Sequence, residues 1–387
     1  MGLSGIKHND SESKRSLNMS KFRLLKYFFV IVILVSYAGL VIFSISSNKE
    51  ALQKDNYWDW YRSYVSQSTK GAFVNTGTKQ DPIALSESQG YGMLITILAA
   101  QKGYIKEDQF MRLFHYYQAN RISKTNTLMK WKQEKIKDGW SSVDQNNATD
   151  GDLDIAYALI QAEKLWPNSF EHYGEAAHQL ITSIKTYNYS GKTGLLTVGN
   201  WATVDPKSET LIRSSDISPS YFKTFAAYTK DSFWTDLETN SVKALVEMSQ
   251  QTETGLLPDF AWVGSKAITA VKPNEISGKN DGDYAYNAAR VPYRLAHSDD
   301  YQVKEVLDKM LGFLEKQPVV YGGYTLKGKA LVDNQSSSFS APILYATKDD
   351  RNYSNLYASQ RWIFNAPIKG KDYYGDTLKT LVLMRLY

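Results

Sequence analysis

From residue 51 to residue 386 the chain alternates between segments that read as helices apolar on all sides and segments that read as helices with one apolar stripe. Few folds accommodate that alternation. The apolar spans are 90–100, 154–165, 220–228, 286–296, 338–346 and 377–386, and the more polar or amphipathic ones between them are 109–120, 170–187, 234–250, 301–315 and 353–364, with 51–65 ahead of the first. A helix apolar all round needs cover on every side, whereas an amphipathic one needs a single covered stripe. Inner helices sheathed by outer helices satisfy both, so the predicted class is all-α, an (α/α) barrel. An α-solenoid is the alternative, but solenoid repeats are shorter and visibly alike, whereas this unit recurs at roughly 40–70 residues without detectable identity. With 43% hydrophobic residues the chain can bury a large core. Gly194–Val198 and Gly322–Leu326 read as short hairpin strands in the connecting loops.

The N-terminal part differs from the rest. Six basic residues against two acidic ones give residues 1–26 a net charge of +4, so the remainder of this +5 chain is near neutral. A nucleic-acid partner is not expected, because no basic stripe lies on the folded part. From Tyr27 to Ile45 there is no charge. Such a run after a basic flank predicts a transmembrane anchor over 27–45, with residues 1–26 as a cytoplasmic tail. It predicts a single-pass cell-membrane protein with residues 46–387 as an extracellular domain. A cleavable signal peptide is the competing reading, although the run is long for one and no clean small-x-small site follows it.

The sequence has no cysteine, which excludes disulfides, thiolate metal sites and cysteine nucleophiles. Its five histidines offer no metal-ligand spacing. His172 and His178 are six apart and point in different directions on a helix. No cofactor or metal is expected.

Three segments carry chemistry. Ala148-Thr149-Asp150-Gly151-Asp152-Leu153-Asp154 puts three carboxylates in five residues just before an apolar helix in which Ala156, Ala158 and Ala162 allow close packing. An acidic first turn with a cap would explain it blandly, and a calcium loop less well, since the ligand ladder of an EF-hand is missing. Ser86-Glu87-Ser88-Gln89-Gly90 places Glu87 at the start of another apolar helix, where an apolar wall can lift a carboxyl into general-acid range. Tyr284-Ala285-Tyr286-Asn287-Ala288-Ala289-Arg290 sets Tyr286 and Arg290 four residues apart, on one face if the segment is α-helical. Two separated carboxylates beside aromatic surface are what glycosidic hydrolysis requires. Among nine tryptophans, Trp131, Trp140 and Trp201 fall in loops and suit sugar stacking better than Trp166, which reads as core.

Together these segments resemble glycoside hydrolase family 8 over most of residues 50–387, most specifically along 148–166. The resemblance implies an (α/α)6 barrel and inverting hydrolysis of a β-linked polysaccharide, most often a β-1,4-glucan. It implies that Glu87 is the proton donor and that Asp150 holds the sugar at the cleavage point, with Asp152 beside it. It also implies that Trp131, Tyr221, Tyr286 and Arg290 contact substrate. One position departs from the family pattern. Where many members carry the general-base Asp, this chain has Asn287, and an amide orients water but accepts no proton at neutral pH. The base must then come from elsewhere. Glu275 and Asp259 are equal candidates, with Asp281 and Asp283 in the same loop as Glu275. The alternative is a catalytically weak glycan-binding or assembly module on the same fold. A polysaccharide lyase is disfavoured for want of a basic constellation. The predicted anchor suggests work on a nascent polymer, with an exopolysaccharide synthesis machinery as partner.

Overall fold

The computed structural model describes residues 9–136 and 139–386. The chain divides into two compact units, Met1–Lys54 and Asp55–Tyr387. One helix, α1 (Asn9–Tyr64), supplies the first unit and the opening turns of the second. Residues 1–8 of the expected basic tail lie outside the described residues. The expected anchor is overturned: among the described residues, no helix is long and apolar enough to cross a membrane. The single-pass location, the cytoplasmic tail and the extracellular placement of the domain lose their basis with it. So does the synthesis-machinery partner, which rested on that topology alone.

The second unit holds eleven further α-helices among the described residues: α2 (Ser86–Gln101), α3 (Glu107–Ala119), α4 (Thr149–Leu165), α5 (Tyr173–Tyr187), α6 (Pro219–Thr229), α7 (Phe233–Gln250), α8 (Val291–Leu295), α9 (Tyr301–Glu315), α10 (Ser337–Thr347), α11 (Ser354–Gln360) and α12 (Tyr373–Leu386). The even-numbered helices pack on one another in chain order: α2 on α4, α4 on α6, α6 on α8, α8 on α10, α10 on α12, and α12 back on α2. Each is also covered by the odd-numbered helix that follows it or, for α12, by the end of α1. There the Trp60 indole donates to Thr377 at 3.0 Å and the Tyr64 hydroxyl to Asp376 at 2.7 Å.

The two helix types differ as expected. In α2 all but four of the sixteen residues are buried. In α5, Ala177, Leu180, Ile181 and Ile184 form the single buried stripe of a helix with 3.6 residues per turn. The N-terminus of α9 is capped by Asp300, whose carboxylate accepts from the N–H groups of Gln302 and Val303 at 2.8 and 3.2 Å.

Two small antiparallel sheets position the site. In one, 83–85, 132–136 and 139–144 pair in that order, and Ser86 N–H donates to Trp131 O at 2.9 Å, joining the start of α2 to the Trp131 loop. In the other, 260–263 lies between 211–213 and 268–270, with Arg213 opposite Phe260 and Leu211 opposite Trp262. Gly194–Val198 contributes the paired residues Leu195–Leu196, and Tyr324 bridges to Tyr284 and Ala330.

Candidate active site

The N-terminal turns of α2 and α4 meet at glycines. A Cβ on Gly151 would lie 2.5 Å from the Ser86 carbonyl carbon and 2.7 Å from Glu87 N, and one on Gly90 would lie 2.8 Å from Asp154 Cβ. The small residue between the acidic pair is thus what lets Glu87 and Asp150 approach. Gly151→Ala is expected to force α2 outward, lowering stability by about 1–3 kcal/mol as overpacking does. It should lower turnover as well, and thermal unfolding beside kcat separates the two effects.

Between the two helix ends lies a buried guanidinium. Arg290, 1% exposed, donates from Nη1 to Asp150 Oδ2 at 2.7 Å, and the same nitrogen is 3.6 Å from Glu87 Oε2. Its Nε and Nη2 donate to the backbone and side-chain oxygens of Asn287, both at 3.1 Å. A second arginine, Arg213, lies 2.6 Å from Asp150 Oδ2 and 3.3 Å from Asp216 Oδ1. Two guanidiniums therefore face three carboxyls, leaving one negative charge in excess in a buried site, and a bound proton relieves it. Burial, reinforced by Asp150 and opposed by Arg290, raises Glu87 to about 7. Burial likewise raises Asp216 to about 6 against the pull of Arg213. Burial acts on Asp150 too, but Arg213 and Arg290 outweigh it and hold that carboxyl well below the usual range. The hydroxyl of Tyr373, at the start of α12, donates to Glu87 Oε1 at 3.4 Å. Below this layer Asp154 and Arg294 form a bidentate pair at 2.6 and 2.8 Å.

The remaining predicted residues divide. Trp131 and Tyr286 are 40% and 55% exposed, and Tyr286 rests edge-on against Phe339 at 5.5 Å. Asn287 is held between Arg290 and Asp259, donating to Asp259 Oδ2 at 3.2 Å. Tyr286 and Arg290 do not share a face: a 3₁₀ turn, Ala288–Arg290, takes the place of the first residues of the expected helix, α8 begins only at Val291, and Arg290 turns inward while Tyr286 faces out. Asp152 is fully buried, one oxygen accepting from Met129 N–H at 2.8 Å and the other from Asn147 at 2.7 Å. Burial raises its pKa to about 8. It ties down the Trp131 loop and offers no surface to a sugar. Tyr221 is also buried, stacked on Tyr157 with centroids 4.1 Å apart. Trp140 packs on Phe73 at 4.9 Å and donates to the Tyr116 hydroxyl at 2.9 Å, whereas Trp201 is 38% exposed.

The two candidate bases sit in unlike places. Asp259 is 5% exposed and accepts from Ala285 N–H at 3.1 Å, Ala288 N–H at 2.6 Å and the Asn287 amide, and burial raises it to about 6. Glu275 lies at the surface, and hydrogen bonds from Lys272 N–H, the Trp262 indole and Lys207 lower it to about 2. Asp281 accepts from its own loop at Ile276, Ser277 and Gly278, a structural role. Arg213, Asp216 and Tyr373 escaped sequence reasoning. The usable signal was Arg213 itself, a lone charge closing the apolar strand Leu211–Arg213 just before Ser-Ser-Asp.

A family model described as "Glycosyl hydrolases family 8" matches residues 32–386. A Beta-glucanase of Niallia circulans is 29% identical over 336 residues, covering 83% of this chain and 81% of its own length. An Endoglucanase of Bacillus sp. (strain KSM-330) is 28% identical over 356 residues, covering 86% and 75%. Among solved structures, the apo Beta-1,3-1,4-glucanase from Paenibacillus sp. X4 superposes with a TM-score of 0.80 at 28% identity, over 88% of this chain and 92% of that one.

Proposed function

The chain belongs to glycosyl hydrolases family 8 and is a glycoside hydrolase, and from that premise we propose that it hydrolyses a β-glucan with inversion, using Glu87 as general acid and Glu275 as general base. We also read its helical shell as a closed (α/α)6 barrel, which the contact of α12 with α2 supports.

The observation that carries the proposal is the shared guanidinium. Arg290 Nη1 approaches both Asp150 and Glu87, yet the two carboxyls are driven apart, one ionised and one protonated near neutrality. Paired carboxyls with pKa values pushed apart mark an acid and its charged neighbour. Asp150 is a poor nucleophile: two arginines hold Oδ2 and Gly151 N–H holds Oδ1 at 2.9 Å. Attack therefore falls to a water activated by a more distant carboxylate, the arrangement that inverts configuration. The names of the relatives support β-glucan as the polymer, and the exposed faces of Trp131, Tyr286 and Trp201 suit sugar stacking.

Accessibility favours Glu275 as base. A base must reach a water in the cleft, and the Glu275 side chain is 25% exposed, while Asp259 is closed in by two backbone N–H groups and the Asn287 amide. Asp259 as base is the second reading, favoured by its pKa near 6 and its bond to Asn287. Reducing-end release from mixed-linkage β-glucan, carboxymethylcellulose, xylan and chitosan by wild type, Glu275→Gln and Asp259→Asn separates them. Glu275→Gln is expected to lose about 10²–10⁴-fold in kcat and Asp259→Asn much less. The reverse order would transfer the role to Asp259. NMR should detect the α-anomer first, and a first-formed β-anomer would refute inversion.

A further inference from the structure

The surface around Glu275 carries a second, separable device. Lys207, just before the 3₁₀ turn Ser208–Thr210, places its ammonium 3.1 Å from Glu275 Oε1 and 4.7 Å from the centroid of the Trp262 ring. The Trp262 indole N–H and the Lys272 backbone N–H donate to Glu275 Oε2 at 3.2 and 2.9 Å. Lys272 contributes only that backbone group to the clasp, and Asp205, whose own carboxyl is lowered first by Ser208, feels Lys207 from its other side. Lys207 is the partner that can leave. Its side chain is 70% exposed, and exposed ion pairs are weak and screened by salt. Its position also competes with a ligand. A cation over an indole occupies the electron-rich face, the same face that receives the polarised C–H groups of a sugar ring.

We infer that Lys207 is a positioning residue that clasps Glu275 against Trp262 while the cleft is empty and yields its place on the indole to a sugar ring of the bound glucan, leaving Glu275 free to act on water. This rests on the reading of Glu275 as base. In the step so released, water oxygen bonds to C1 as the C1–O glycosidic bond breaks. Glu87 gives its proton to the departing oxygen, and Glu275 takes one from the attacking water, so atoms and charge balance. Loss of the Lys207 hydrogen bond and charge raises the pKa of the base, because both are among the causes that lower it.

The test is kcat and KM from pH 3 to 8 on mixed-linkage β-glucan, for wild type, Lys207→Met, Lys207→Arg and Glu275→Gln, each checked for folding by circular dichroism. Lys207→Met should lower KM by about two- to tenfold, the scale of a weak exposed contact removed from competition. It should also move the acid limb of the kcat/KM profile upward, because the clasp acts on the free enzyme, while the acid limb of kcat stays in place; Lys207→Arg should keep the wild-type KM and kcat/KM limb. A Lys207→Met profile and KM identical to wild type would overturn the inference, as would Lys207→Arg behaving like Lys207→Met. Glu275→Gln with wild-type turnover is a different failure, since it removes the base assignment beneath the inference.

Discussion

Glu87→Gln is expected to lower kcat by about 10²–10⁴-fold with little change in KM, the range typical of a positioned general acid. The amide keeps the shape of the side chain and its place beside Arg290 but has no proton to give to a leaving oxygen. The pH dependence follows from the sign of the shift. Burial and Asp150 raise Glu87 to about 7, and the acid works in its protonated form, so wild-type activity should fall as pH rises through that value. The residual activity of Glu87→Gln should lack this limb. An aryl β-glucoside whose phenol departs without protonation should recover most of the lost rate. The decisive comparison is kcat of both proteins on polymer and on the aryl substrate across pH 5–9. Unchanged polymer turnover in Glu87→Gln would remove the acid assignment and leave the family intact.

Much of this arrangement is visible in the sequence because it is periodic or local. The spans expected at 109–120 and 301–315 lie within two residues of α3 and α9, since an amphipathic stripe carries its own period. The acidic cluster also spoke locally, although Thr149 and Asp150 belong to the first turn of α4 rather than to a loop before it. What escaped is three-dimensional. Arg213 reaches Asp150 from the end of a sheet strand, and Asp216 pairs with Arg213 from the 3₁₀ turn that follows; the strands of that sheet are three or four residues long, too short for alternation to register. Nor does local sequence distinguish Asp150 from Asp152. Both sit in the first turn of one helix, yet the first meets two arginines and the second turns to Met129 and Asn147. The segment 286–290 misled for a related reason, because its residues satisfy an α-helical spacing while the backbone takes a 3₁₀ turn.

Asp150→Asn should have the larger effect on the molecule as a whole. Its carboxylate, 4% exposed, is the shared acceptor of Arg213 and Arg290 at 2.6 and 2.7 Å. Removing one partner of a buried ion pair leaves uncompensated charge and costs about 3–5 kcal/mol. Because Asp150 is depressed in the fold, its stabilisation is complete above the ordinary carboxylate range and is lost as pH falls through its folded value. The stability gap between variant and wild type should therefore be full at pH 7 and narrow below about pH 4, near the unfolded-state pKa. The same substitution acts on Glu87. With the negative neighbour gone, one cause of its raised pKa disappears, and Arg290 is left to pull it down unopposed by its partner. Glu87 should then ionise at lower pH, so the basic limb of the variant's profile shifts to the acid side and part of its residual activity returns near pH 5. Urea unfolding at pH 3.5 and 7, read beside kcat at pH 5 and 7, tests both halves. A variant as stable as wild type with an unmoved basic limb would mean that Asp150 neither anchors the arginines nor sets the proton affinity of Glu87.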